Sequence, residues 1–193
     1  MLDMTRIISG IAGSIKLASP AKVTRPTSDR IRESIFAMLE ARDLIEGASV
    51  LDLYAGTGAL ALEAISRGAK SAVLVERDGK AAAVCVANLK NVQKSLEKED
   101  VEASIRVVNK SCQSFAGSAP RGEYSLVFVD PPYDVSNAEV ETLLDALAPS
   151  LTAGATVAVE RSSRSEQPTW PAAFKFGETK SYGDTVVYWL TAN

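Results

Sequence analysis

Ser49-Val50-Leu51-Asp52-Leu53-Tyr54-Ala55-Gly56-Thr57-Gly58-Ala59-Leu60 is the stretch on which the fold turns. The apolar run to Leu53 has the length of one buried strand. Gly56 and Gly58 then allow a sharp bend and a close approach of backbone to a ligand. Apolar residues resume at helical spacing to about Arg67. A strand that passes through a glycine turn into a helix is the first unit of an open α/β sheet. Downstream the alternation continues. Ser71–Val75 reads as a strand, Gly79–Ser95 as a long helix, Ser104–Val108 and Tyr124–Val129 as strands, Asn137–Leu151 as a helix and Ala155–Val159 as a fifth strand. Phe174–Thr179 and Thr185–Thr191 are separated only by Ser181-Tyr182-Gly183-Asp184, which predicts an antiparallel hairpin. Upstream, Ile31, Ile35, Phe36, Met38 and Leu39 mark a helix capped by Thr27 or Ser28 and closed by Gly47. Thr5–Ile8 and Ile15–Ala18, around Gly10 and Gly13, form a small hairpin. The fold class is therefore α/β: a Rossmann-like doubly wound sheet, mostly parallel, with an antiparallel C-terminal hairpin and a small N-terminal hairpin and helix extension. Residues 1–26 are expected to form a basic extension and residues 27–193 the main domain.

Composition narrows the chemistry. There is no histidine, which excludes an imidazole base, a Ser-His-Asp triad and a histidine-ligated metal. Cys85 and Cys112 fit neither a disulfide framework nor a zinc spacing, so no metal is expected and a reducing, cytoplasmic setting is the simplest. No apolar run approaches ~18 residues, and Met1 to Ile11 lacks the apolar stretch of a signal peptide, so no membrane association is expected. Net charge is −3, yet residues 1–32 carry six basic side chains against two acidic ones. That segment is either a footprint for phosphates or a solvated arm.

Asp130-Pro131-Pro132-Tyr133 follows the strand Tyr124–Val129 and so lies at the ligand-binding end of the sheet. Two prolines stiffen the loop and remove two backbone donors. Carbonyl oxygens, one carboxylate and one aromatic face remain, a set that suits a planar group bearing an NH2. The alternative is a rigid strand-end turn without chemistry.

The glycine turn also satisfies a dinucleotide fingerprint, Gly56-x-Gly58-x-x-Ala61, with the acidic Glu76 roughly 20 residues on. Asp52 argues against a pyrophosphate there, because like charges repel strongly in a cleft of low dielectric. An acid at that position faces a cationic amino group better, as in S-adenosylmethionine. A strand-end capping role is the other reading of Asp52.

Asp52–Gly58, Glu76 and Asp130–Tyr133, taken together, resemble the class I S-adenosylmethionine-dependent N-methyltransferases. Adding Thr24-Arg25-Pro26-Thr27-Ser28-Asp29-Arg30-Ile31-Arg32-Glu33-Ser34-Ile35-Phe36, Arg6-Ile7-Ile8-Ser9-Gly10 and Tyr182-Gly183-Asp184-Thr185, the chain resembles the RsmD family from about Thr5 to Leu190. These are bacterial methyltransferases of 16S ribosomal RNA that modify a guanine at N2. The resemblance implies that Asp52, Tyr54, Ala55, Gly56, Thr57 and Gly58 hold the methionine part of S-adenosylmethionine. It implies that Glu76, with Arg77 beside it, takes the ribose and that Ser111 and Cys112 read the adenine. Asp130, Pro131, Pro132 and Tyr133 become the catalytic loop, and Arg6, Lys16, Arg25, Arg30 and Arg32 the RNA contacts. Arg30 and Arg32 have a second reading, as partners of Asp29 and Glu33 along their helix. The implied partner is 16S rRNA in the small ribosomal subunit or its assembly intermediate, bound by a monomer. Rivals are a methyltransferase of adenine N6, cytosine N4 or a protein glutamine, a nicotinamide-dependent oxidoreductase, and a non-catalytic RNA-binding assembly factor.

Overall fold

The strand-like runs pair into one sheet in the computed structural model, which describes residues 5–19 and 29–193. β1 (Ser49–Leu53), β2 (Ser71–Val75), β3 (Ser104–Val108), β4 (Tyr124–Val129), β5 (Leu151–Ser162), β6 (Phe174–Tyr182) and β7 (Thr185–Ala192) lie in the order β3-β2-β1-β4-β5-β7-β6. β3, β2, β1, β4 and β5 are parallel, and β7 pairs antiparallel with both β5 and β6. The chain runs outward from β1 to β3 and then returns to place β4 on the other side of β1. That reversal opens a crevice at the C-terminal ends of β1 and β4.

Side chains of successive strand residues face opposite ways, and two cores result. Val50, Ala72, Leu74, Leu126, Phe128, Val187 and Trp189 meet α1 (Asp29–Ala41), α2 (Ala59–Ser66) and α3 (Gly79–Lys98) on one face. Leu51, Leu53, Val127, Val129, Val157 and Val159 meet α4 (Cys112–Ala116) and α5 (Asn137–Leu147) on the other. Phe36 of α1 sits 5.8 Å from Phe128 of β4, ring centre to ring centre, so α1 lies on the sheet's midline.

Several elements differ from the sequence expectation: α3 runs on to Lys98, β5 spans Leu151–Ser162 rather than Ala155–Val159, and β6 extends to Tyr182. The helix expected to reach Leu151 stops at Leu147. Ala148–Ser150 is a 3-10 turn, and Leu151 already begins β5. Pro149 explains the stop, since it lacks an N–H and its ring clashes with the carbonyl of the preceding helical turn. α1 ends at Ala41 rather than at Gly47; Asp43 has φ 54° and leaves the helical path first. α4 was not expected at all. It is a short turn whose start is capped by Ser111 and which buries Cys112, Phe115 and Ala116. The cap expected at Thr27 or Ser28 lies outside the described residues.

The N-terminal hairpin is present but minimal. Its ladder is one bridge, Arg6 to Lys16, with Ile7 N donating to Ile15 O at 2.9 Å and Leu17 N to Thr5 O at 2.8 Å. Its docking is extensive. Ile7, Ala12 and Leu17 are buried in the core shared with α1 and α2. Ser66 of α2 donates to Ser9 O at 2.6 Å and accepts from Ala12 N at 2.9 Å. Gly10 has φ 81° and lies so close to α2 that an added Cβ would stand 1.9 Å from Ser66 O. Ile7, Ala12 and Leu17 thus tie this segment to the core of the main domain; the expected boundary at residue 26 lies outside the described residues.

A buried ion network fastens this junction. Glu63 of α2, 0% exposed, accepts from Ile8 N at 2.7 Å, from Ser9 N at 3.0 Å and from Arg67 Nε at 2.7 Å. Arg32, also 0% exposed, donates to Asp29 at 2.9 Å and to the Arg6 carbonyl, and its Nε lies 3.9 Å from Glu63. Burial pushes the Arg32 pKa down, with Asp29 and Glu63 opposing.

Candidate active site

The glycine turn, the Glu76 strand end and the Asp130 loop converge because their strands are neighbours. Leu53 pairs with Val75 on one side and with Val129 on the other, so the three loops leave the sheet side by side. In the turn, Tyr54 has φ 63°, Gly56 φ 56° and Gly58 φ 80°. At Gly58 a Cβ would meet Leu74 Cδ2 at 2.6 Å. Glycine here lets the start of α2 pack directly on β2. Gly56 N donates to Glu76 Oε2 at 2.9 Å, and Asp78 N to Glu76 Oε1 at 2.8 Å. Each Glu76 oxygen has two lone-pair directions, so the amides fix the carboxylate while leaving it able to accept from hydroxyls.

Asp52 is 1% exposed, and its Oδ2 accepts from Ala61 N at 3.1 Å. The capping geometry weighed for it is therefore present, reaching up from β1 to the first turn of α2. Burial pushes its pKa up to about 8, reinforced by Asp130 and Glu76 and opposed by the Ala61 bond. A buried acid in this state favours a cationic neighbour, which would hold it ionised. The sign of its pH linkage follows. Between the ordinary value of 3.8 and about 8 the folded chain binds more protons than the unfolded chain. Asp52's contribution is fully present below 3.8 and is lost as pH rises through about 8. Urea unfolding of the ligand-free protein is thus expected to show stability falling across this window, and Asp52→Asn is expected to flatten that slope. An unchanged slope would mean that Asp52 is ionised throughout.

Ser111 Oγ accepts from Ser114 N at 3.1 Å, capping α4. Cys112 is buried, and burial pushes its thiol up to about 12, which keeps it protonated and unreactive. A cavity of about 350 Å3 lies beside these residues, lined by Tyr54, Arg77, Cys112, Gln113, Val135 and Glu139 among others. It runs from the end of β1 to the first turns of α4 and α5.

In the Asp130 loop, Pro131 is buried, Asp130 and Pro132 are half-buried, and Tyr133 is 61% exposed. The Pro132 carbonyl accepts from Val135 N at 3.1 Å. That bond closes the turn.

Of the basic residues expected to face RNA, Arg6, Lys16 and Arg30 are exposed. Arg32 is corrected: it is fully buried against Asp29, Glu63 and the Arg6 carbonyl, and offers no guanidinium to a phosphate. Arg25 lies outside the described residues. The sequence reading gave no role to Asn88, Cys85 or Asn109. Cys85 Sγ donates to Gly56 O at 3.3 Å, and Asn109 Nδ2 donates to the Glu76 and Arg77 carbonyls at 2.8 and 3.0 Å. Asn88 bonds Thr57 O at 2.9 Å. A polar Asn88 between Ala87 and Leu89, on a face otherwise apolar, was the signal available for it.

This strand order, with β7 set antiparallel between β5 and β6, is the Rossmann-like architecture of the class I methyltransferases, and solved structures superpose on it along almost their whole length. A hypothetical protein of Thermus thermophilus, TTHA0928, matches with TM-score 0.79 at 28% identity, over 96% of this chain and 98% of its own. A candidate methyltransferase from Escherichia coli, yhhF, matches with TM-score 0.78 at 32% identity over 98% of each chain. Within that class the chain belongs to the family described as conserved hypothetical protein 95, the RsmD family, whose model matches residues 5–191. It is 35% identical over 182 residues to ribosomal RNA small subunit methyltransferase D of Escherichia coli K12, covering 92% of this chain and 85% of that one. Among the described residues, no helix is long and apolar enough to cross a membrane.

Proposed function

We propose that this protein is an S-adenosylmethionine-dependent methyltransferase that methylates N2 of a guanine in 16S rRNA, with the small ribosomal subunit or its assembly intermediate as substrate. The observation that carries the reading is the pairing of Leu53 with Val129, which sets the glycine turn and the Asp130-Pro131 loop beside each other at the switch point. One loop suits a cationic cofactor and the other an amino group. The protein would act as a monomer in the cytoplasm, where small subunits are assembled.

The donor site fits its cofactor on three features: the buried acid Asp52, the amide-fixed Glu76 carboxylate and the cavity by Cys112 and Gln113. When bound, S-adenosylmethionine supplies an electrophilic methyl group on a sulfonium. The chain's own work is on the acceptor. A guanine amine is a poor nucleophile because its lone pair is delocalised into the ring. The Asp130 carboxylate and the Pro131 carbonyl, placed out of the ring plane, would accept its two N–H groups and favour a pyramidal nitrogen. Orientation of this kind lowers barriers by up to ~7–11 kcal/mol in well-aligned cases. As the nitrogen gains positive charge, Asp130 stabilises it. The nitrogen then loses a proton to Asp130 or to water, so a chain without histidine suffices.

Tyr133 would stack on the base, which must leave its own stack to enter. Tyr133→Ala is expected to raise KM for the RNA substrate by an amount worth ~1–3 kcal/mol without altering the melting temperature, because the ring is exposed. Steady-state kinetics that leave KM unchanged would remove Tyr133 from the base-binding role.

The reading is tested by methyl transfer from radiolabelled S-adenosylmethionine to small subunits lacking the modification, with nucleoside analysis of the product. Label in N2-methylguanosine is the expected result. Label in another base or in protein would keep the methyltransferase and discard the guanine.

A further inference from the structure

Asn88 lies at a junction between the cofactor turn and the N-terminal segment. It is 0% exposed on the face of α3 that carries Cys85, Leu89 and Val92. Its Oδ1 accepts from Ala18 N at 2.8 Å, and its Nδ2 donates to Ala18 O at 3.0 Å and to Thr57 O at 2.9 Å. One side-chain amide thus grips both polar groups of a residue in the N-terminal segment and a carbonyl of the glycine turn. A buried amide is costly unless it is fully paired, and a leucine would suit this helix face better. The polar residue is explained by what it joins.

On the turn side, Cys85 holds Gly56 O and Asn88 holds Thr57 O, so α3 anchors two consecutive carbonyls. In a trans peptide the following N–H points opposite to the carbonyl. Fastening Gly56 O to α3 therefore aims Thr57 N away from α3. On the other side, Ala18 adjoins the bridged pair Arg6 and Lys16, both of them exposed. Leu17 and Ser66 hold the segment behind it. A pull on this segment by RNA phosphates would reach Thr57 through one rigid amide.

We propose that Asn88 is a positioning residue that couples the cofactor turn to the RNA-facing N-terminal segment, so that occupancy of each site strengthens the other. The proposal rests on the methyltransferase reading above. Coupling of this kind is reciprocal between the two ligands. Ordering the turn around a cofactor fixes Thr57 O, which fixes Asn88, which fixes Ala18.

The test is the affinity of fluorescently labelled protein for small subunits lacking the modification, measured without and with saturating S-adenosylhomocysteine. The wild type is expected to bind the subunit at least about 5-fold more tightly with the cofactor product present. Asn88→Asp keeps the acceptor for Ala18 N but replaces both donated bonds with facing acceptors. Ala18→Pro removes the N–H donor at the exposed end without touching Asn88 or the glycine turn, so it decides the matter should Asn88→Asp fail to fold. Each variant is expected to bring the ratio close to one while still binding either ligand alone. A purely structural Asn88 would lower the melting temperature and leave the ratio as in the wild type, which would overturn the coupling, as would a wild-type ratio of one. Wild-type protein that bound no S-adenosylhomocysteine would instead strike the methyltransferase reading itself.

Discussion

Asp130→Ala is expected to lower kcat by about 10²–10³-fold, the loss of roughly 2.7–4 kcal/mol that follows removal of one group aimed at developing charge. The affinity for S-adenosylhomocysteine should stay close to that of the wild type. The expectation rests on position. In the proposed reading Asp130, which follows β4, serves the acceptor, whereas the amide-anchored Glu76 and the buried Asp52 serve the donor. Asp130→Asn separates two contributions: it retains an oxygen acceptor for an N–H but removes the charge opposite the nascent cation. A smaller loss in Asp130→Asn than in Asp130→Ala would assign part of the effect to orientation. Single-turnover methyl transfer and calorimetric binding together check the prediction. Loss of cofactor affinity in parallel with activity would move Asp130 to the donor side.

The largest stability effect is expected at Glu63. Its carboxylate receives the Ile8 and Ser9 amides and Arg67, and lies beside Arg32. Glu63→Ala would strand two amides and leave a fully buried guanidinium facing a void. Removing one partner of a buried ion pair costs about 3–5 kcal/mol, a large share of the roughly 5–15 kcal/mol available to a domain. Denaturant unfolding should show the loss directly. The N-terminal hairpin should loosen first, because Glu63 holds it to α2, and faster proteolysis near Ser9 would report this. A loss under about 1 kcal/mol would mean that the network behaves as a solvated surface pair.

Much of the site was legible in the chain because its signals are local. Gly56 and Gly58 announce a turn of positive φ, and both adopt it. Two prolines after an apolar run announce a stiff loop at a strand end, and Asp130–Tyr133 follows β4 directly. Glu76 is placed by being the first polar residue after β2. The short α4 was not legible, since five residues cannot display helical periodicity. Asn88 escaped notice because its partners lie 70 and 31 residues away.

The arginines of α1 show where the chain's own authority ended. Arg30 and Arg32 are two residues apart and alike in chemistry, yet one is exposed and the other fully buried. Helical geometry separates them by about 200° around the axis and puts Arg32 on the face of Ile35, Phe36 and Leu39, but only the approach of Glu63 and of the Arg6 carbonyl gives a guanidinium partners there. Asp52 is similar. Its place at the end of β1 followed from the strand and turn pattern, whereas its state of charge depends on burial beneath α2 and on the nearness of Asp130 and Glu76. Strand, turn and helix were determined by the sequence because they arise from residues close along the chain. Exposure, protonation and coupling were decided by the tertiary structure, because desolvation and Coulomb interaction depend on distance in space.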